Sequence, residues 1–365
     1  MNAFTKIGGM ARCGKGFFRG WAAVAGNQKS RGRAKVLLLG VLGLIFLASC
    51  ERLLIEPNPA NTPGENFDLL WREMDQKYAY FPLKRIDWDS VYREFRPRVR
   101  PDMTDRELFK VMSDMLFLLR DGHTNLVSKF DVSRNWDWFL DHPQNFNFSL
   151  IERNYLGRDH QIARPFRTTV IDSVGYIYYG SFMSIIDGQT LDLLIEQYSG
   201  LKGIIIDVRN NGGGAITMVD VLTSRFVPEK TLVGYSRYKS GPGHNDFTPY
   251  FPKHIKPDGK QQFTKPVVVL TNRAVYSAAN EFVAFMSALP HVTLVGDVSG
   301  GGGGAPYSGE LMNGWTYRFS ATQFFNAEKE HIEEGVIPDV KVDIRPEDAA
   351  QGKDTILETA LNLLR

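Results

Sequence analysis

Two short runs of unbroken apolar residues, Gly203-Ile-Ile-Ile-Asp207 and Pro266-Val-Val-Val-Leu270, restrict this chain more than any other feature. A run with no polar alternation has no face to give to water, so it suits a strand covered on both sides. Strands of that kind belong to parallel sheets sandwiched between helices, and the intervening sequence agrees. Val174 to Phe182 reads as a further strand, Leu191 to Tyr198 and Ile216 to Phe226 as helices. Ser277 to Leu289 reads as a helix, Val292 to Gly296 as a strand, and Asp354 to Leu364 as a closing helix. The expected fold is an α/β layer architecture with largely parallel strands.

The first 49 residues call for a separate explanation. Arg31, Arg33 and Lys35 precede an apolar run from Val36 to Leu47 that ends in Ala48-Ser49-Cys50. This is a basic region, a hydrophobic region and a small-residue cleavage site in the order of an export signal. A membrane-spanning helix needs about 20 apolar residues, more than the run supplies. The Leu-Ala-Ser-Cys sequence resembles the bacterial lipobox, which implies removal of residues 1–49 and acylation of Cys50. The expected product is an exported lipoprotein of the cell envelope, anchored in the outer membrane by that lipid. The signal holds eight Lys and Arg and no acid, so the remainder has 35 basic against 41 acidic residues. A net charge of −6 argues against a nucleic-acid partner. The other cysteine, Cys13, leaves with the signal, which removes disulfides and Cys-based metal sites from consideration.

Residues 50–65, rich in Pro, Asn and Thr, read as anchor and tether, with order expected from Asn66. A helical domain is expected over 66–130. Phe67, Leu70, Trp71 and Met74 share one helical face, Trp88, Val91, Tyr92 and Phe95 another behind an Asp87 cap, and Thr104 with Glu107 forms a capping box before a third helix. Residues 131–172, with Trp136, Trp138, Phe139, Phe146 and Phe148, have little periodicity and are expected to form a connector or cover. The catalytic α/β core is expected over 173–365.

Chemistry is expected at the carboxyl ends of the parallel strands. Asp207-Val-Arg-Asn-Asn-Gly-Gly-Gly214 follows one of them, and three glycines free the backbone to turn its N–H groups toward a ligand. Ser277 follows another and opens an apolar helix, where free N–H groups favour developing negative charge. A tight turn and an N-cap serine are the bland readings of the same residues.

Together the two segments resemble the tail-specific, or C-terminal processing, serine peptidases, a family that includes the tricorn core protease. Asp207 to Gly214 resembles that family's Asp-x-Arg-x-Asn-x-Gly-Gly turn, and Ser277 to Glu281 its Ser-Ala-x-x-Glu helix start. Asp121-Gly-His-Thr124 and Glu334-Gly-Val-Ile-Pro-Asp339 resemble two further motifs of its tricorn-like branch. The resemblance implies a ClpP/crotonase-like core, Ser277 as nucleophile, and an oxyanion site made by Ala278 with Gly214 or Gly213. Classical members use a lysine at a Gly-Lys-Gly, but Ser299 to Gly304 stands in that region and no lysine occurs between Ser277 and Lys329. The tricorn-like branch uses histidine, which implies His123 as base and Glu334 as its acidic partner, with Glu333 the alternative. An imidazole suits proton transfer near neutrality. No cofactor or metal is expected, and the substrate is expected to be a peptide or an unfolded segment. The roughly fifty residues between Thr124 and Val174 leave no room for the PDZ domain many relatives carry. A catalytically weak peptide-binding protein and acyl-CoA chemistry of the crotonase kind are the rival readings.

Overall fold

The computed structural model describes residues 60–133, 142 and 144–365. The signal-like segment, Cys50, most of the tether and Trp136, Trp138 and Phe139 lie outside the described residues. Four helices come first: α1 (Pro63–Lys77), α2 (Phe81–Lys84), α3 (Trp88–Phe95) and α4 (Asp105–Phe117). The helix starts follow from their caps. Thr62 accepts the Glu65 N–H, Asp87 accepts that of Ser90, and Thr104 and Glu107 make both bonds of the capping box. Order thus begins ahead of Asn66, because Pro63 starts a helix rather than ending a tether, its missing N–H costing nothing in a first turn.

Strand β1 (Asn125–Val127) follows, then α5 (Phe148–Ile151), β2 (Gln161–Ala163), β3 (Phe166–Ile171) and β4 (Val174–Tyr178). The next elements are α6 (Gly188–Tyr198), β5 (Gly203–Asp207), α7 (Ile216–Thr223), β6 (Thr231–Tyr238), β7 (Phe251–Ile255) and β8 (Val267–Thr271). Helix α8 (Ala278–Ser287), β9 (Val292–Gly296), β10 (Pro306–Glu310), β11 (Thr316–Ser320), β12 (Thr322–Phe325) and β13 (Val340–Lys341) lead to α9 (Pro346–Ala350) and α10 (Thr355–Leu364).

The main sheet has the order β13-β9-β8-β5-β4-β3-β2. Its pairs from β4 to β13 are parallel, and β3 and β2 extend it antiparallel at one side. Successive side chains of a strand point to opposite faces. Ile204, Ile206, Val267 and Val269 accordingly pack with α6, α7 and α8, while Ile205, Val268 and Leu270 pack with α10. The apolar runs are unbroken because both faces are covered. The segment expected as a cover is in part sheet: β2 and β3 join β4, an edge that short runs without clear alternation concealed.

The helices expected as a domain of their own share their core with distant strands. Phe67, Leu70, Trp88 and Met112 pack with Leu311, Trp315, Tyr317 and Phe319, the last two on β11. β1 pairs with β11 antiparallel, and β10 completes that small sheet. A third sheet has the order β12-β6-β7. The described residues from 60 to 365 thus belong to one compact unit.

One buried ion cluster ties the end of β5 to α10. Arg209 is fully buried; its Nε donates to Asp207 Oδ1 at 2.9 Å, and its Nη1 donates to both oxygens of Asp354 at 2.9 and 3.0 Å. Burial opposes the charge, and the two carboxylates overcome it, holding the guanidinium well above its ordinary range. Removing one partner of such a pair leaves a buried charge exposed to apolar surroundings and costs about 3–5 kcal/mol. Asp354→Ala is expected to lower the unfolding free energy by that order in a urea titration. A loss under about 1 kcal/mol would show that the cluster does not hold these elements together.

Candidate active site

The turn after β5 is shaped by its glycines. Gly213 and Gly214 have φ of 93° and 146°, values that side chains resist. Space excludes a side chain as well: a Cβ at Gly213 would stand 2.5 Å from Tyr276 O and 2.9 Å from Ser277 Cβ, and one at Gly214 would stand 2.3 Å from Met183 N. The two strand-end turns therefore touch backbone to backbone. Asn211 fixes the turn by donating to Tyr179 O and accepting the Gly213 N–H at 2.9 Å. This corrects the expectation for Gly213, whose N–H is occupied by that side chain. Gly214 and Ala278 both line the cavity beside Ser277.

Ser277 sits between β8 and α8 with φ 57° and ψ −125°, a conformation that costs a residue other than glycine of order 1–3 kcal/mol. It stands at the N-cap position but makes no capping bond, so its hydroxyl is not spent on the helix. Its backbone is held by Ser277 N–H donating to Gly301 O at 2.9 Å. The glycine run thus supports the serine from behind. A Cβ at Gly302 would enter the Tyr276 ring at 2.4 Å, so a side chain does not fit at that position.

His123 comes from the loop between α4 and β1, and the β1–β11 pairing carries it across to the serine. His123 Nε2 and Ser277 Oγ are 3.0 Å apart. The loop is set by Asp121, whose Oδ1 accepts the His123 backbone N–H at 2.7 Å, and the imidazole meets the Tyr276 ring edge-on. Gly122 is required there, since a Cβ would lie 2.8 Å from Tyr276 Oη. Burial pushes the His123 pKa below its ordinary value; Arg318 adds to that, while Asp121 and the Gly304 carbonyl oppose it. Nδ1 is buried and makes no hydrogen bond of ordinary geometry.

The acidic partner expected from the resemblance is not where it was placed. Glu334 is exposed and lines a separate cavity with Lys84, Arg120 and Arg273, so it cannot orient the ring. Glu333 is buried instead, because the preceding Ile332 packs inward and the chain turns outward at the next residue. Its Oε2 accepts the Gly303 N–H at 2.9 Å and its Oε1 pairs with Lys84 at 3.0 Å. Burial and Asp121 push this carboxyl up to about 8, against Lys84 and Gly303. Both oxygens accept, so the anion is the form this geometry fits. Among the described residues, the carboxylate acting on His123 is Asp121.

Sequence reasoning passes over Asp121 within its own motif, and it has no signal for Lys84 or Arg318. Lys84 closes a four-residue helix and reaches Glu333 only through the fold. Arg318 stands on β11, where Tyr317 and Phe319, following Trp315, alternate with polar residues; that pattern marks a strand but not the role of Arg318, which lines the Ser277 cavity of about 140 Å³ with Glu281 and Phe324.

The α/β core and its serine elbow are those of a serine hydrolase. The comparison with known proteins makes this narrower, and the chain belongs to peptidase family S41. The model of that family matches residues 173–342, and that of the tricorn protease C1 domain matches residues 59–117. A crystal structure of a provisionally named peptidase from Parabacteroides merdae is 46% identical, with a TM-score of 0.80, and the match covers 84% of this chain and 97% of that one. The carboxy-terminal processing protease CtpA of Bacillus subtilis is 26% identical over 175 residues, 47% of this chain and 36% of that protein. The carboxyl-terminal-processing protease of a Synechocystis species is 26% identical over 229 residues, 61% and 50% of the two. The chain thus spans about a third to a half of these curated relatives. Mature CPAF, 12% identical with a TM-score of 0.62 over 82% of this chain and 95% of that one, shares the fold.

The close contact between the turns generates a steric test. Gly213→Ala should drive Ser277 from its place and reduce its reaction with a fluorophosphonate by roughly 10²-fold. Gly212→Ala, whose Cβ would meet nothing within 4 Å, should react like the parent. Equal labelling of both variants would contradict the account of the turn.

Proposed function

We propose that this protein is a serine endopeptidase of the cell envelope, acting on peptides or unfolded segments. The 3.0 Å contact between Ser277 Oγ and His123 Nε2 carries this reading, because a strained serine without a capping bond has no other evident use for its hydroxyl. In the proposed reaction His123 Nε2 takes the Ser277 proton as Oγ attacks the peptide carbonyl. The N–H groups of Gly214 and Ala278 receive the oxyanion, and His123 then protonates the leaving amine. Water repeats the sequence on the acyl-enzyme. Asp121 favours the imidazolium that forms in each half, while burial keeps the resting imidazole neutral.

Attachment of the lipid at Cys50 and export are part of the same proposal. The basic and then apolar segment that ends in the lipobox-like Leu47-Ala48-Ser49-Cys50 supports them. Among the described residues no helix is long and apolar enough to cross a membrane.

Two measurements test the mechanism. A fluorophosphonate should label the parent protein and not Ser277→Ala; absence of any adduct on the parent would overturn the hydrolase reading. The acid limb of kcat/KM should report neutral His123 as base. Its pKa is lowered by burial, so activity should be retained below pH ~6.5, the ordinary imidazole value, and be lost only as the ring protonates at lower pH. His123→Ala should lose most of kcat, by about 10²- to 10⁴-fold. A limb governed by a pKa well above 7, with His123→Ala unaffected, would point to another base.

A further inference from the structure

The mechanism leaves one cation in the Ser277 cavity without a task. Arg318 lies on β11, opposite Asn125 and Ser308 in the two flanking strands, and its side chain lines the cavity with His123, Gly214 and Ser277. Its Nε–H is buried and has no hydrogen-bond partner. The other deeply placed arginines are treated differently: Arg209 is held by Asp207 and Asp354, and Arg225 by Asp192 and Asp258. Among the described residues no carboxylate pairs with Arg318. Glu281 lines the same cavity, but the charges that act on it are Lys253 and Asp220, and burial first of all pushes it up to about 7. It is therefore no fixed counter-charge for the guanidinium.

An unpaired donor of this kind, half-buried beside a catalytic base, is costly in the free protein. It lines the cavity with His123 and Ser277, and its charge opposes protonation of His123. A guanidinium presents a planar fork of donors that matches the two oxygens of a carboxylate. We propose that Arg318 is a specificity-determining residue that binds a carboxylate of the substrate next to the scissile bond. That carboxylate is either the α-carboxylate of a chain end or the side chain of an Asp or Glu. In the first case the enzyme trims chains close to their C-terminus; in the second it cuts beside acidic residues. The proposal rests on Ser277 being the nucleophile.

The test uses the parent protein and matched peptides: free C-terminal acid against amide, and Asp or Glu against Asn or Gln flanking one cleavage position. A charge-assisted pair should raise kcat/KM by about tenfold to a hundredfold in one of these two arms, mostly through KM. Arg318→Gln should bring that ratio close to one, and Arg318→Lys, which keeps the charge and loses the fork, should leave an intermediate ratio. A parent that forms the fluorophosphonate adduct at Ser277 yet cleaves all four peptides equally overturns this inference and leaves the nucleophile in place. A preference that persists in folded Arg318→Gln overturns it also. Failure of the parent to form the adduct overturns the nucleophile and this inference with it. Should Arg318→Gln not fold, the parent's ratios together with Arg318→Lys decide.

Discussion

The buried guanidinium of Arg209 is the interaction on which the site depends. It lies two residues beyond the end of β5, between Asp207 on that strand and Asp354 at the cap of α10, and Tyr176 adds a hydroxyl donated to Asp207 at 2.8 Å. A charge with no access to water is stable only when both its partners are in register. The start of the turn is thereby fixed to the helix on one face of the sheet. Asn211 then fixes its far end by bonds to Tyr179 and Gly213. The turn that carries Gly214 to the cavity is thus placed by ionic and polar contacts of Arg209 and Asn211.

Backbone contact is the second constraint. Gly213 lies against the Ser277 backbone, Gly301 accepts the Ser277 N–H, and Gly302 lies on the Tyr276 ring. Three stretches far apart in the chain meet through their backbones and the Tyr276 ring. Each glycine is needed because a neighbour occupies the volume a Cβ would fill. The strained backbone of Ser277 is held by these contacts from two sides, which is how a costly conformation persists at a reacting residue.

The electrostatics divide into two groups. Asp121, Glu333 and Lys84 form a buried polar set behind the imidazole, where Lys84 offsets part of the cost of two nearby carboxyls. Arg318 lines the cavity beside Ser277. Within the first group Asp121 holds the His123 backbone and opposes the lowering of its pKa by burial, and the second is a donor left open. An unpaired charge in a cavity marks a place where binding, rather than folding, completes the pairing.

The sequence by itself determined what local pattern can record. Runs such as Ile204 to Ile206 and Val267 to Val269 have no polar face, so strands covered on both sides were legible, and with them the α/β core. Thr104 with Glu107 and Asp87 announced their helices through bonds that close within three residues. The order of motifs around Gly214, Ser277 and His123 likewise identified the family. The tertiary structure alone decided which of these residues meet. His123 and Ser277 are 154 positions apart and are joined by the pairing of β1 with β11, and an alternating run such as Trp315 to Phe319 does not by itself name its partner. The choice between Glu333 and Glu334 turned on which one the chain buries, and adjacent glutamates look alike in sequence. Arg318 and Lys84 were invisible for the same reason. Periodicity and turn chemistry are properties of neighbours along the chain, whereas a charge acquires its role from the groups that packing places around it.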